Sequence, residues 1–374
     1  MLQDRRYTSD RRRRTALGGL GLVTVVAYGA CYYAFGAFIG PISVATGWPQ
    51  GTLGVVFAGV LVLNGALATF GGRLVDRRGP RAPLVIAGTV GAGAMFVASV
   101  QSSLAGFAIA YIAGCGLVGA MAYYHVTQPT AARAAARPER AIVRLTIFGA
   151  FASPVYLPLT EVLVHAIGWR SALRVEAGTV SFACLAAAAA VVSGDRPIGN
   201  GSALGPVSSA LRSAWGHPDV RRWVVAVLIG TAATDLMLTY QVAIMVALGL
   251  SATVAASVAG LRGLAQLGGR LPLGAVLRHW GTRRALVAAH LVAVASAGAL
   301  LLSGHLWAAV TFSVLAGISL GAITSLQGLY TNELIDPQHF GALFGALQGV
   351  IGIGGAAGPA GWSLTLVART ASWS

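Results

Sequence analysis

The chain has 374 residues, 56% of them hydrophobic and only 10% charged, where ordinary globular domains carry about 25% charge. That balance excludes a conventional soluble enzyme. The net charge of +15 sits on arginines clustered at the ends of apolar runs, which argues against nucleic acid as a partner.

Every basic residue is Arg, which reads as genome composition rather than function. Glycine is abundant, at 50 residues, and suits close helix contacts inside a membrane. Cys31, Cys115 and Cys184 stand isolated in apolar runs and are expected to pack as small hydrophobes, with no metal or redox spacing between them.

Hydropathy predicts eleven membrane spans, the first six at roughly 17–45, 52–72, 82–101, 104–128, 141–166 and 171–193. The remaining five run roughly 222–248, 251–277, 284–303, 306–330 and 340–368. Ahead of the first span lie Arg5, Arg6 and Arg11 to Arg14. They imitate a signal peptide, but the apolar run that follows is too long for one, and a basic cytoplasmic anchor fits better. Turn chemistry separates the spans at Thr46-Gly47-Trp48-Pro49-Gln50-Gly51, at Gln101-Ser102-Ser103 and at Gly168-Trp169-Arg170.

The long connector, from Gly194 to about Pro218, divides the chain. The expected organisation is an N-terminal six-helix bundle over residues 1–193, a cytoplasmic linker over 194–218 and a five-helix bundle over 219–374. Val207 to Trp215 reads either as a short interfacial helix or as plain linker. The N-terminus, Arg73, Arg77, Arg78, Arg81, Arg133, Arg137, Arg140, Arg196, Arg212, Arg221, Arg222, Arg278, Arg283 and Arg284 all fall on one side. The other side has Arg170, Arg174 and Arg369. The positive-inside rule makes the first side, with the N-terminus, cytoplasmic. The expected location is a cell membrane, inner or plasma, with many passes. The turn from Thr331 to His339 runs against the rule, having Glu333 and Asp336 but no Arg.

A charged, glycine-bracketed turn occurs twice, at Gly72-Arg73-Leu74-Val75-Asp76-Arg77-Arg78-Gly79-Pro80-Arg81 and at Gly274-Ala275-Val276-Leu277-Arg278-His279-Trp280-Gly281-Thr282-Arg283. Gly72 pairs with Gly274, Gly79 with Gly281 and Arg81 with Arg283 at one offset, 274 − 72 = 202. The offset maps span two onto eight and span five onto eleven, and leaves the second half without a sixth helix. A truncated product and a genuine eleven-span variant are both open. Asp76 is suited to cap a neighbouring helix N-terminus or to pair with an arginine, a latch between helices. A plain topogenic turn is the alternative. The second copy has Arg278 in the place of Asp76.

The pattern Gly72-x-Leu74-x-Asp76-Arg77-x-Gly79-x-Arg81 between spans two and three resembles the loop signature of the major facilitator superfamily, over nearly the whole chain. The resemblance implies an all-α membrane protein of two pseudo-symmetric helical bundles, a substrate site near the midplane and alternating access. Arg270-Leu271-Pro272-Leu273-Gly274, together with Gly47-Trp48 and Gly168-Trp169-Arg170, is similar to the oxalate–formate antiporter and monocarboxylate transporter branch. Drug–proton antiporters differ: span four has no arginine, and the GxxxGP form sits in span eleven, at Gly354 to Gly358-Pro359. Tyr28, Tyr32 and Tyr33 replace the acidic span-one signature of animal monocarboxylate carriers.

A charge in hydrocarbon costs about 2.5–3.5 kcal/mol on insertion scales, so ionisable residues within spans are functional candidates. Span seven carries Thr231, Asp235 and Thr239 on one face; span eight carries Arg262, Gln266 and Arg270 on one face. Arg270, Arg262 and Gln266 are candidates for binding an anionic substrate, since a guanidinium grips a carboxylate with two parallel hydrogen bonds. Asp235 is a candidate counter-charge or proton carrier, and a structural Asp–Arg pair is the alternative. Tyr28, Tyr32, Gln327 and Tyr330 are further candidates for substrate contact, with interior packing the competing reading. Glu161 and His165, four apart near the outer end of span five, form either a proton relay or an interfacial pair. His290 reads as a packing histidine, and Arg144 as a snorkelling one.

Gly114-Cys115-Gly116-Leu117-Val118-Gly119 is a formal GxGxxG and Gly317-Ile318-Ser319-Leu320-Gly321 a formal GxSxG. Neither has the flanking strand its motif needs, and both read as helix packing. No enzyme, cofactor or metal site is expected. The expected function is secondary active transport of a small, monocarboxylate-like organic anion by proton symport or anion exchange, in a monomer embedded in lipid. A drug or metabolite exporter and a non-transporting receptor or scaffold are the alternatives.

Overall fold

The computed structural model of the chain describes residues 2–135, 137–191, 207–335 and 340–352, and all regular structure among them is helical. The connector over 194–206, Asp336, the Gly354–Pro359 stretch and Arg369 lie outside the described residues, as do the side chains of the N-terminal arginines and of Thr239. In chain order the helices of the first half begin with α1 (Leu2–Tyr28), α2 (Phe35–Thr46), α3 (Gln50–Arg78) and α4 (Arg81–Ile86). They continue with α5 (Ala92–Val100), α6 (Leu104–Ala122), α7 (Tyr124–Ala134), α8 (Pro138–Ala150) and α9 (Ala152–Ala190). After these come α10 (Val207–Gly216), α11 (Pro218–Ala247), α12 (Ala252–Arg270), α13 (Leu273–Leu301), α14 (Leu306–Leu334) and α15 (Phe340–Gly352).

Local chemistry sets the ends. Ser103 caps α6, its Oγ accepting from the Gly106 amide at 3.1 Å, and Ser251 caps α12 through the Val254 amide at 3.4 Å. Pro138 and Pro218 occupy the first turns of α8 and α11, where a missing N–H costs nothing. The repeated turn recurs in the backbone: Gly79 has φ 75° and ψ 177°, and Gly281 has φ 71° and ψ 168°. Only glycine adopts such angles without strain, so the two copies need it at the same register.

Seven stretches among the described residues are long and apolar enough to cross a membrane: Thr15–Thr46, Gly51–Arg78, Arg81–Val100, Leu104–Ala134, Pro138–Ala190, Leu273–Leu301 and Leu306–Leu334. The Pro138–Ala190 stretch, of 53 residues, kinks at Gly168 (φ 79°), between expected spans five and six. Span four is two helices, because Tyr123 is extended (φ −81°, ψ −173°) between α6 and α7. Single π-helical turns interrupt span one at Gly29–Tyr33 and span three at Ala87–Gly91. Large apolar side chains such as Ile109, Phe182, Val294 and Leu301 point outward, as lipid requires.

The chain divides into two compact packing units. The first comprises Met1–Ala214 with Thr331–Gly349, and the second Trp215–Tyr330 with Val350–Ser374. In the first, glycines let helices touch. Gly116 and Gly119 of α6 lie against Leu63 and Asn64 of α3, and Gly114 lies against Met95 of α5. The GxGxxG is therefore a helix-packing surface. Further along α3, Gly65, Ala68 and Gly72 meet Gly349, Gly345 and Gly341 of α15 in turn. Those spacings place three small pairs on one line. In the second unit, Gly317 of α14 abuts the Arg262 carbonyl and Gly321 the Gln266 carbonyl of α12. Ser319, between them, bonds the Ala316 carbonyl at 3.0 Å, so the GxSxG is packing too. Met245, Val258, Leu300 and Phe312 form the core of this unit.

A Cβ on Gly72 would collide with the Gly341 carbonyl, whereas one on Gly36 would meet open space. Gly72→Ala should cost about 1–3 kcal/mol through overpacking, while Gly36→Ala should not destabilise. Thermal unfolding of both variants in detergent checks this, and equal midpoints would contradict it.

Candidate functional site

Two groups of buried polar side chains stand out, one in each packing unit. The first centres on Asp76, near the C-terminal end of α3 and 3% exposed. Its Oδ1 accepts from the Gly341 amide at 3.1 Å and its Oδ2 from the Ala342 amide at 2.7 Å. These amides lie at the N-terminal end of α15, Phe340–Gly352, so the carboxylate sits where the helix dipole is positive. The same carboxylate forms a charge-assisted hydrogen bond and ion pair with Arg133 at the end of α7. Arg133 also reaches the Val75 carbonyl at 3.4 Å. One carboxylate thus joins α3, α7 and α15.

The other residues of the repeated turn surround this junction or mirror it. Gly72 makes the α3–α15 approach, Arg77 is half-buried and Arg81 is exposed. In the second copy Gly274 has open space beside it, Gly281 makes the kink, and Arg278 and Arg283 are exposed. Asp76 has no acidic counterpart there.

The second group centres on Arg270, at the end of α12 and 3% exposed. It donates from Nη2 to Gln266 Oε1 at 3.1 Å and to Thr324 Oγ1 at 3.2 Å, and from Nε to the Gly321 carbonyl at 3.3 Å. Gln266 is itself buried, and the close α12–α14 packing at Gly321 brings the acceptors within reach. These contacts hold the guanidinium plane fixed. Arg262, two turns earlier and half-buried, lies close enough to Asp235 of α11 for electrostatic attraction. Tyr330 sits edge-on to Trp223, with ring centres 5.0 Å apart, and Gln327 is half-buried one turn before it. His290 bonds the Leu286 carbonyl at 2.8 Å.

In the first unit Tyr28 stacks on Tyr123, at the break in span four, with centroids 4.0 Å apart. Tyr124 lies at 4.9 Å, and Tyr32 stands at 6.5 Å, partly exposed. Glu161 and His165 face outward, with side chains 70% and 80% exposed and 3.9 Å between their charged atoms. The structure does not bring this pair to the buried groups.

Three features escaped sequence reasoning. The sequence marks Arg133 only as a topogenic charge. Tyr123 breaks a helix without a Gly or Pro to announce it. Glu176 is a fully buried acid within expected span six. Its position inside an apolar run is the sequence signal for it, close to the charges of Arg170 and Arg174.

No group of three or more His, Cys, Asp or Glu suited to a metal occurs among the described residues. Comparison with known proteins gives the family framework. The sequence profile described as the Major Facilitator Superfamily matches residues 10–359. No curated protein sequence matches the chain. Among solved structures, the E. coli fucose:proton symporter is similar at a TM-score of 0.71 and 15% identity, covering 95% of this chain and 92% of that one. The human organic anion transporter MFSD10 is similar at 0.70 and 14%, covering 93% and 92%. The proton:xylose symporter bound to 6-bromo-6-deoxy-D-glucose is similar at 0.64 and 12%, covering 98% and 90%.

Removing the Arg133 guanidinium would leave Asp76 buried with amide donors alone. Arg133→Ala should destabilise by about 3–5 kcal/mol, the usual result of orphaning a buried charge. The same substitution on an Asp76→Asn background should cost much less, because the two residues share one interaction. A double-mutant cycle by thermal unfolding checks this; additive losses would contradict it.

Proposed function

We propose, from the premise that this chain belongs to the major facilitator superfamily, that it is a secondary active transporter of a small organic anion of monocarboxylate type. The observation that carries the substrate class is the Arg270 group. A buried guanidinium with its plane fixed by Gln266, Thr324 and the Gly321 carbonyl is prepared for a planar anion. Arg stays charged at any accessible pH and meets a carboxylate with paired hydrogen bonds, so affinity falls steeply for a neutral solute. The fold alone does not select the cargo, since similar structures include both sugar:proton symporters and an organic anion transporter. The span-eight arginine followed four residues later by Gly274 supports the oxalate–formate and monocarboxylate branch over drug export.

In this reading Arg270 is the primary anion contact and Gln266 orients it. Arg262 supplies a second positive charge, offset by Asp235 when no substrate is bound. Gln327 and Tyr330 of the same packing unit, and Tyr28 and Tyr32 of the first, are further candidate contacts for the solute. The chain works as a monomer in a cell membrane with its N-terminus cytoplasmic. It is organised as bundles over 1–193 and 219–374 joined by the 194–218 linker, with eleven spans. Proton symport or anion exchange supplies the energy. The Asp76 junction, with Gly72, Arg77, Gly79, Arg81 and the mirrored Gly274, Gly281 and Arg283, is the conformational latch. Its bonds to α15 and Arg133 hold one state of the alternating-access cycle and break in the other.

Uptake of radiolabelled formate, lactate and oxalate into proteoliposomes tests the assignment. Wild-type protein should accumulate at least one of these acids. Arg270→Lys should lose most of that uptake, because an ammonium cannot reproduce the planar two-point grip. Uptake of a neutral sugar with none of the acids, or wild-type rates in a correctly inserted Arg270→Lys protein, would overturn the anion reading.

A further inference from the structure

Glu176 lies in the half of α9 that follows Gly168, eight residues beyond the kink. That is about 12 Å along a helix, well into a hydrocarbon core roughly 30 Å thick. Its side chain is 0% exposed. Oε1 is 2.5 Å from the hydroxyl of Thr160, which belongs to the half of α9 before the kink and is also fully buried. Oε2 is buried with no hydrogen-bond partner among the described residues.

Positive charge is directed elsewhere. Arg170 donates to the carbonyls of Ser99 and Gln101, both at 2.8 Å, and Arg174 to Ser99 Oγ at 3.1 Å. Among the described residues no basic side chain forms an ion pair with Glu176. The titratable groups that sense it are Cys31 in the π-turn of span one, Tyr111 of α6 and Tyr156 on its own helix. None of these is cationic. Tyr156 donates to Thr179 Oγ1 at 3.0 Å, and Thr179 in turn donates to the Glu176 carbonyl at 2.8 Å.

A carboxylate here would keep a full charge in an apolar interior with one hydroxyl for support, which is costly. A carboxylic acid would not. The chemistry that completes the site is a single proton, exchanged between Oε1 or Oε2 and a donor outside. The neighbourhood is built for a small adjustment: the π-turn Gly29–Tyr33 runs beside Tyr156, with Gly29 directly against its ring. Such turns are irregularities that helices retain mostly at functional positions.

We propose that Glu176, held by Thr160, is a reversible proton-binding site and carries the coupling proton of transport. It belongs to the first packing unit, whereas the anion contact Arg270 belongs to the second. The inference rests on the reading of the chain as a gradient-driven transporter, and it selects proton coupling over anion exchange. The Glu176 carboxylate takes up a proton on one side of the membrane, forming an O–H bond, and breaks that bond to release the proton on the other, so the protein is unchanged over a full cycle.

The experiment is pH-dependent infrared difference spectroscopy of the purified protein in lipid bilayers, without any transported solute. Wild-type protein should show the carbonyl stretch of a buried carboxylic acid that appears and disappears with pH. Glu176→Gln should lack that band. Thr160→Val, which keeps the acid but removes its hydroxyl partner, should shift the band to higher frequency. A band that persists in Glu176→Gln, one that does not respond in Thr160→Val, or the absence of any pH-dependent acid band in wild type would overturn the proposal. Loss of the band on replacing potassium by sodium at fixed pH would do so as well, by making the site one for a metal cation. In proteoliposomes loaded with a pH dye, lactate uptake by wild type should carry protons inward, and Glu176→Gln should lose accumulation driven by a proton gradient. Proton-driven accumulation that survives in Glu176→Gln also overturns the proposal. If wild type moves none of the acids, the anion reading fails while the infrared result still decides the proton site.

Discussion

A charge placed in a low-dielectric interior must be met by partners that are already in position, and this constraint organises the molecule. Asp76 meets it with two amides at the start of α15 and with Arg133. Arg270 meets it with two side-chain oxygens and a carbonyl presented by α12 and α14. In both cases the partners come into range because glycines let helices approach: Gly72 against Gly341 in one, Gly321 against Gln266 in the other. Small residues and buried charges are therefore parts of one arrangement. Close packing sets the backbone, the backbone sets the donors and acceptors, and those decide which charges the interior tolerates.

The Asp76 junction combines a strong contact with a smooth packing surface. Main-chain amides at a helix start make a strong but directional contact with a carboxylate, and a modest shift of α15 along α3 would break both hydrogen bonds together. The contact surface along that line consists of Gly, Ala and Gly facing Gly, so little apolar interlocking resists the shift. Most of the specificity at the junction lies in the charge contacts of Asp76 with the Gly341 and Ala342 amides and Arg133.

Much of this was legible in the sequence. The composition, the apolar spans and the repeated turn identified an all-helical membrane protein, and Gly79 and Gly281 share one backbone conformation because their register demands it. The two formal enzyme motifs were readable as packing because no strand flanked them. The partners of Asp76 were not readable: Arg133 is 57 residues away, Ala342 is 266 away, and only tertiary folding brings them together. The orientation of side chains was also hidden, since a helix apolar all round gives no periodic clue to its inner face. Glu161 and His165 show this, because their four-residue spacing reads as a pair whether it faces inward or, as found, outward. Glu176 was visible as an intramembrane acid, yet only its burial and the contact with Thr160 reveal what it needs.

The proposed function rests on recognition of negative charge on the solute by the fixed Arg270 guanidinium of the second packing unit. Calorimetric titration of lactate and of lactamide, its neutral amide of nearly equal shape, into purified protein measures that recognition directly. Lactate should give measurable heat and saturable binding, and lactamide none. Binding of the two with equal affinity would contradict it.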